Sequence, residues 1–116
     1  IMPRVTKALS AKAKHKKVLK STKGQYGARS RLFKTAKQSN IKSLQYAFRD
    51  RRNKKRTFRS LWISRISAGL IPYELSYSRF INKLTKANIK LDRKSLAEIA
   101  FSDSETFQKI VEKVKV

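Results

Sequence analysis

The chain is 116 residues long, enough for one domain and at most one appendage. Its 30 Lys and Arg against 7 Asp and Glu give a formal net charge of +23, which excludes an ordinary mixed-sign surface and makes a polyanion, by default nucleic acid, the expected partner. The absence of Cys excludes disulfides and thiolate metal sites, and no apolar run approaches the ~18 residues that a membrane span requires.

The charge is unevenly placed. Residues 1–60 hold 20 basic residues and one acid, Asp50, for a balance of +19. Residues 61–116 hold 10 basic and 6 acidic residues, for a balance of +4. No apolar stretch near the N-terminus has the form of a secretory signal, so none is expected. Residues 5–22 are Lys-rich, and Val5, Leu9, Val18 and Leu19 form no continuous apolar stripe. The segment is predicted to be helical only where something holds it, and mobile when free. His15, the single histidine, sits within Lys12-Ala13-Lys14-His15-Lys16-Lys17. With no Cys or acid beside it to complete a metal site or catalytic pair, it either hydrogen-bonds phosphate or sugar or stands exposed and uninvolved.

The segment Lys23-Gly24-Gln25-Tyr26-Gly27-Ala28-Arg29-Ser30-Arg31 combines two glycines, one aromatic and flanking cations. Two readings stand. The small residues let the backbone approach RNA while Tyr26 stacks on a base or ribose, or the segment is a plain interhelical turn with Tyr26 packed locally. The Walker spacing is absent, so it is no nucleotide-phosphate loop.

From Arg29 to Leu70 the residues favour helix. Phe33, Ala36, Leu44, Ala47 and Phe48, then Phe58, Leu61, Trp62, Ile66 and Leu70, recur mainly at i, i+3, i+4, the period of a helix that buries one face. Residues 49–57 contain no apolar residue. At ~100° per residue, Arg49, Arg51, Arg52, Lys54, Lys55, Arg56 and Arg59 cover more than half the helix circumference, as expected of a helix wrapped by an anionic partner. A merely solvated charged helix normally carries both signs, and here Asp50 is the lone acid. If continuous, such a helix extends roughly 60 Å, the length of an arm. Trp62 with Phe58, Ile63 and Ile66 can be read as a base-stacking platform, but the spacing favours a buried stripe.

Beyond Gly69 and Pro72 the pattern is regular. Tyr77, Phe80, Ile81 and Leu84 predict a helix over 76–87. Asp92 is placed to cap a helix carrying Leu96, Ile99 and Ala100. Ser102 with Glu105 fits a capping box that opens a last helix bearing Phe107, Ile110, Val111 and Val114. Glu74, Asp92, Glu98, Asp103, Glu105 and Glu112 read as caps and surface balance rather than acid–base pairs, and Asp50 as an ion-pair partner for a neighbouring Arg. No strand-like alternation competes. The expected fold is all-α: a basic helical extension over 1–60 with a turn near 24–27, and a small globular domain over 61–116. That domain, about 56 residues, buries only ~60% of its unfolded surface and is therefore marginal but viable.

Met2-Pro3-Arg4-Val5, Lys14-His15-Lys16-Lys17-Val18-Leu19-Lys20 and Tyr26-Gly27-Ala28-Arg29-Ser30-Arg31 resemble the bacterial-type large-subunit ribosomal protein L20 family. Phe48-Arg49-Asp50-Arg51-Arg52 and Phe58-Arg59-Ser60-Leu61-Trp62-Ile63-Ser64-Arg65-Ile66 do so as well. Ser76-Tyr77-Ser78-Arg79-Phe80-Ile81-Asn82 and Leu91-Asp92-Arg93-Lys94-Ser95-Leu96-Ala97-Glu98-Ile99-Ala100 extend the likeness over residues 2–116. Departures are Gln25 where the family has an aromatic, Ser67 where Asn is common, and Gly69-Leu70-Ile71-Pro72 in place of an Ala-rich helix end.

The resemblance implies a structural constituent of the large ribosomal subunit, in a bacterial cytoplasm or inside a mitochondrion or plastid. It implies a long helical extension that penetrates large-subunit ribosomal RNA, a globular helical domain nearer the surface, and a role in subunit assembly rather than catalysis. Expected partners are that RNA and neighbouring large-subunit proteins, with no membrane, small-molecule substrate, cofactor or metal. The expected RNA contacts are Arg4, Lys7, Lys12, Lys14, His15, Lys16, Lys17, Lys20, Lys23, Tyr26, Arg29, Arg31, Arg49, Arg51, Arg52, Lys54, Lys55, Arg56 and Arg59. The rival is a basic DNA-binding or nucleoid-packaging protein, but no long heptad follows the basic run to make a zipper. A membrane-surface helix is weaker still, because 49–57 lacks an apolar face.

Overall fold

The computed structural model describes residues 6–116, so Arg4 lies outside the described residues. The fold is all-α, with no strand among those residues. In chain order it comprises α1 (Ala8–Ser21), a 3-10 turn (Gly27–Ser30), α2 (Phe33–Leu70), a second 3-10 turn (Ile71–Tyr73), α3 (Tyr77–Lys86), α4 (Arg93–Ser102) and α5 (Ser104–Lys115). The chain divides into two compact units at a boundary between Arg51 and Arg52, inside α2.

In the first unit, the Lys-rich α1 has neither a side-chain N-cap nor an acid in its first turn. Fourteen residues of such composition are marginal as a free helix. What holds it is local packing. The His15 ring stacks on Phe33 at the start of α2, with ring centroids 3.8 Å apart and planes within 17°. At its C-terminal end Thr22 is fully buried, and its hydroxyl donates to the Val18 and Leu19 carbonyls. Gly24 (φ 89°) and Gly27 (φ 62°) then turn the chain through left-handed conformations open to Gly at little steric cost.

The helix expected from Arg29 begins instead at Phe33. Residues 27–30 close a tighter 3-10 turn, in which Ser30 Oγ donates to the Gly27 carbonyl. The Leu32 N–H reaches the Ala28 carbonyl (2.9 Å), and α2 winds from there. The buried stripe predicted for its first half is also largely absent. Ala36 is buried and Phe33 half-buried, but Leu44 (63% exposed), Ala47 and Phe48 (59% exposed) face solvent. Helical spacing marks a face without supplying anything to cover it.

In the second unit the stripe finds its core. Ile66 and Leu70 of α2 pack with Phe80 and Leu84 of α3, Leu96 and Ala97 of α4, and Phe107, Val111 and Val114 of α5. Trp62, Tyr77, Ile81, Ile99 and Ile110 lie partly buried around them. Trp62 thus joins the core margin, as its spacing indicates. Each fully buried Leu, Ile or Phe contributes roughly 1.5–3 kcal/mol, so this cluster accounts for the stability of the unit.

The ends of these helices follow from single residues. Pro72 sits in the first positions of the short turn after α2, where its missing N–H costs nothing. Asn88 (φ 54°) closes α3, with the Ile89 N–H reaching the Leu84 carbonyl at 3.1 Å and the Asn88 N–H reaching that of Thr85 at 3.1 Å. That pairing is a Schellman motif. Asp92 caps α4 as predicted, accepting the Ser95 N–H at 3.0 Å. The predicted Ser102–Glu105 box does not form. Ser102 ends α4, donating to the Glu98 carbonyl, and Asp103 caps α5 by accepting the Thr106 N–H at 3.1 Å. Asp103 outcompetes Ser102 because its carboxylate accepts both the Thr106 N–H and the Thr106 hydroxyl.

Candidate nucleic-acid interface

The most unusual surface lies along α2. Every residue from Ile41 to Leu61 is exposed. Over that stretch stand Lys42, Arg49, Arg51, Arg52, Lys54, Lys55, Arg56 and Arg59, against the single acid Asp50. A helix packed on its own protein shields one face, and this stretch shields none.

Within the first unit, Asp50 pairs with Arg49 at 3.0 Å. That bond holds the Arg49 guanidinium above its ordinary value. Arg49 and Lys42 also flank Tyr46, at 4.7 and 5.0 Å from its ring centroid. Within the second unit, Lys54 lies 5.9 Å from the Phe58 ring centroid and Arg56 bonds Asn53 at 3.4 Å. The aromatic rings interleaved with the run therefore brace cations rather than fill a core.

Two clefts in the first unit gather further cations. One, of about 920 Å³, is lined by Lys7, Lys14 and His15 with Lys37 of α2, over a floor that includes Val18 and Phe33. The His15–Phe33 stack fixes the imidazole there and leaves the side chain exposed, a packing role that neither sequence reading anticipated. The other cleft, of about 820 Å³, brings Tyr26 and Arg29 together with Lys42, Tyr46 and the amides of Gln25, Gln38 and Gln45. Gln25 is tied to Ser39 by a hydrogen bond across this cleft. Tyr26 is 94% exposed, so the local-packing reading of that turn is overturned. The positive φ of the glycines on either side of Gln25-Tyr26 turns the chain away from any core that could receive the ring.

Lys12, Lys16, Lys17 and Lys20 lie exposed on α1, Lys23 in the turn that follows, and Arg31 just before α2. Lys37, Lys42 and Tyr46 stand outside the dense basic runs, and only the i, i+4 spacings Phe33–Lys37 and Lys42–Tyr46 mark them in the sequence. In the second unit Arg65 lies over Phe101, 5.1 Å from its ring centroid, and Lys115 over Tyr73 at 5.7 Å. Among the described residues no cluster of three or more His, Cys, Asp or Glu is placed to hold a metal ion. Among the same residues no helix is long and apolar enough to cross a membrane.

An all-helical fold with a cationic helix left uncovered defines a class, the strongly basic helical proteins. Comparison with known proteins narrows it. The family described as Ribosomal protein L20 matches residues 4–110. The large ribosomal subunit protein bL20 of Francisella philomiragia is 56% identical over 114 residues, covering 98% of this chain and 97% of that protein. The bL20 proteins of Psychrobacter cryohalolentis (58%, covering 98% and 97%) and Coxiella burnetii (56%, covering 98% and 96%) are similar over the same length. The chain belongs to the ribosomal protein L20 family, and it is a structural constituent of the large subunit of a bacterial-type ribosome.

Proposed function

We propose that this protein binds large-subunit ribosomal RNA through its first 60 residues and promotes assembly of the subunit, while residues 61–116 form the globular domain that anchors it. The observation that carries this reading is the stretch 41–61, exposed on every side and carrying eight cations to one acid. Those cations neutralise RNA phosphates that would otherwise repel, so RNA helices can converge on α2. The guanidinium groups match phosphate oxygens bidentately, and the lysines add point charge. Arg4, Lys7, Lys12, Lys14, His15, Lys16, Lys17, Lys20, Lys23, Tyr26, Arg29 and Arg31 extend the contact along the first unit. Neighbouring large-subunit proteins are the remaining partners.

The test replaces Arg51, Arg52 and Arg56 together with Ala. RNA affinity falls and large-subunit precursors accumulate in cells that carry only the variant. Duplex DNA competes less well than structured ribosomal RNA at the same salt concentration. Unchanged affinity with normal subunit profiles, or preference for the DNA, rules the proposal out.

A further inference from the structure

We infer that the cleft between the 24–29 turn and the start of α2 is a seat for one unpaired RNA nucleotide, with its base stacked on Tyr26 and its phosphate held by Arg29 and Lys42. This rests on the RNA-binding reading above and adds to it a site that selects unpaired bases rather than backbone charge.

Tyr26 is the first reason. A ring 94% exposed gains nothing from its own chain. The turn that presents it is built for that purpose in backbone alone, since Gly24 and Gly27 both hold positive φ and a Cβ at either would meet nothing within 4 Å. The glycines therefore serve the path of the chain rather than a close approach inside the protein. An exposed tyrosine on a fixed turn is a stacking platform that every base can use, because every base has a π face.

The second reason is the chemistry of the cleft wall. It carries no carboxylate, and beside Arg29 and Lys42 its polar groups are amides and hydroxyls, with Gln38 and Gln45 each able to offer both donor and acceptor to a base edge. A base paired within an A-form helix keeps its faces stacked and its Watson–Crick edge engaged, so only an unpaired nucleotide presents both to such a site. The third reason is the placement of charge. The Tyr46 ring braces Lys42, whose ammonium lies 5.0 Å from its centroid, and Lys42 lines the cleft with Arg29, which places two cations where a phosphate would lie. A volume of about 820 Å³ admits a nucleotide with its solvent.

The test compares the full chain with Tyr26→Ala and Tyr26→Phe, using a short single-stranded RNA and the duplex of the same sequence at one salt concentration. Tyr26→Ala loses roughly 5- to 150-fold in affinity for the single strand, the range for one stacked aromatic, and keeps its affinity for the duplex. Tyr26→Phe, which retains the π face, binds both as the parent does. Unchanged helicity by circular dichroism accompanies both variants, because the side chain packs on nothing. Equal losses on both RNAs, no loss on either, or a Tyr26→Phe loss matching that of Tyr26→Ala overturns the seat and leaves the phosphate-binding reading standing. A parent chain that binds neither probe nor large-subunit ribosomal RNA overturns both.

Discussion

Gly69 shows how a residue can be placed correctly in a sequence while its role stays hidden. The helix expected to run to Leu70 contains it, and it lies inside α2 in ordinary helical conformation. A Cβ there would come within 3.1 Å of the Phe107 ring and 3.3 Å of the Ala100 methyl. Gly69 is the gap through which α2 receives the end of α4 and the start of α5. Gly69→Ala trades a helix-propensity gain of about 1 kcal/mol against that crowding and leaves stability close to the parent. Gly69→Val cannot fit, because Phe107 is itself buried against Phe80, and it destabilises by roughly 1–3 kcal/mol in denaturant titration. The role was invisible in sequence because the neighbours stand some 30 or more positions away. His15 was opaque for the same reason: the ring that receives it, Phe33, belongs to the next helix.

At the scale of elements, the helices of the second unit were legible because each carries its own period and its own stop. Phe80 with Leu84, and Phe107 with Val111 and Val114, are buried where their spacing put them. Asp92 was readable as a cap, whereas the start of α5 was misplaced by one residue because Ser102 and Asp103 are both competent and only three-dimensional geometry chooses. Both caps carry a pH signature. The Asp92 carboxyl is held below the usual carboxylate range by the Ser95 side chain and then its N–H, and that of Asp103 by the Thr106 side chain and then its N–H. A folded-state value below the unfolded one means that stability is fully present above the unfolded carboxylate value and drains away as pH falls through the folded value. Thermal melts from neutral pH to below about 4 therefore show a falling midpoint. In the Asp92→Asn, Asp103→Asn double variant, whose amides still cap, that fall is smaller. An identical slope in the two proteins shows the caps to be silent.

For the whole molecule, the informative quantity is the asymmetry between a unit that folds on its own apolar residues and a helix stretch that does not. The sequence pattern correctly announced helix across 33–70, but it could not say that Ile41 and Leu44 are left exposed, since period reports a face and never its occupant. Charge was the better guide. If phosphates cover that face, log affinity for large-subunit RNA falls linearly with log salt, and each contact adds about 0.7–0.9 to the slope. The Arg51, Arg52, Arg56 triple replacement then flattens the slope by roughly 2–3, measured by filter binding across a salt series. A weaker but equally salt-sensitive variant places those residues off the phosphates.

The uncovered stretch of α2 has a further consequence for the free chain. A protease that cleaves after Lys or Arg meets eight such positions between Ile41 and Leu61, each on an exposed residue. Unwinding one exposed turn to admit a peptide bond disturbs mainly local hydrogen bonds, so nicking there does not wait for the buried core around Phe80 and Phe107 to open. Whatever covers that helix therefore also sets how long the stretch survives a protease.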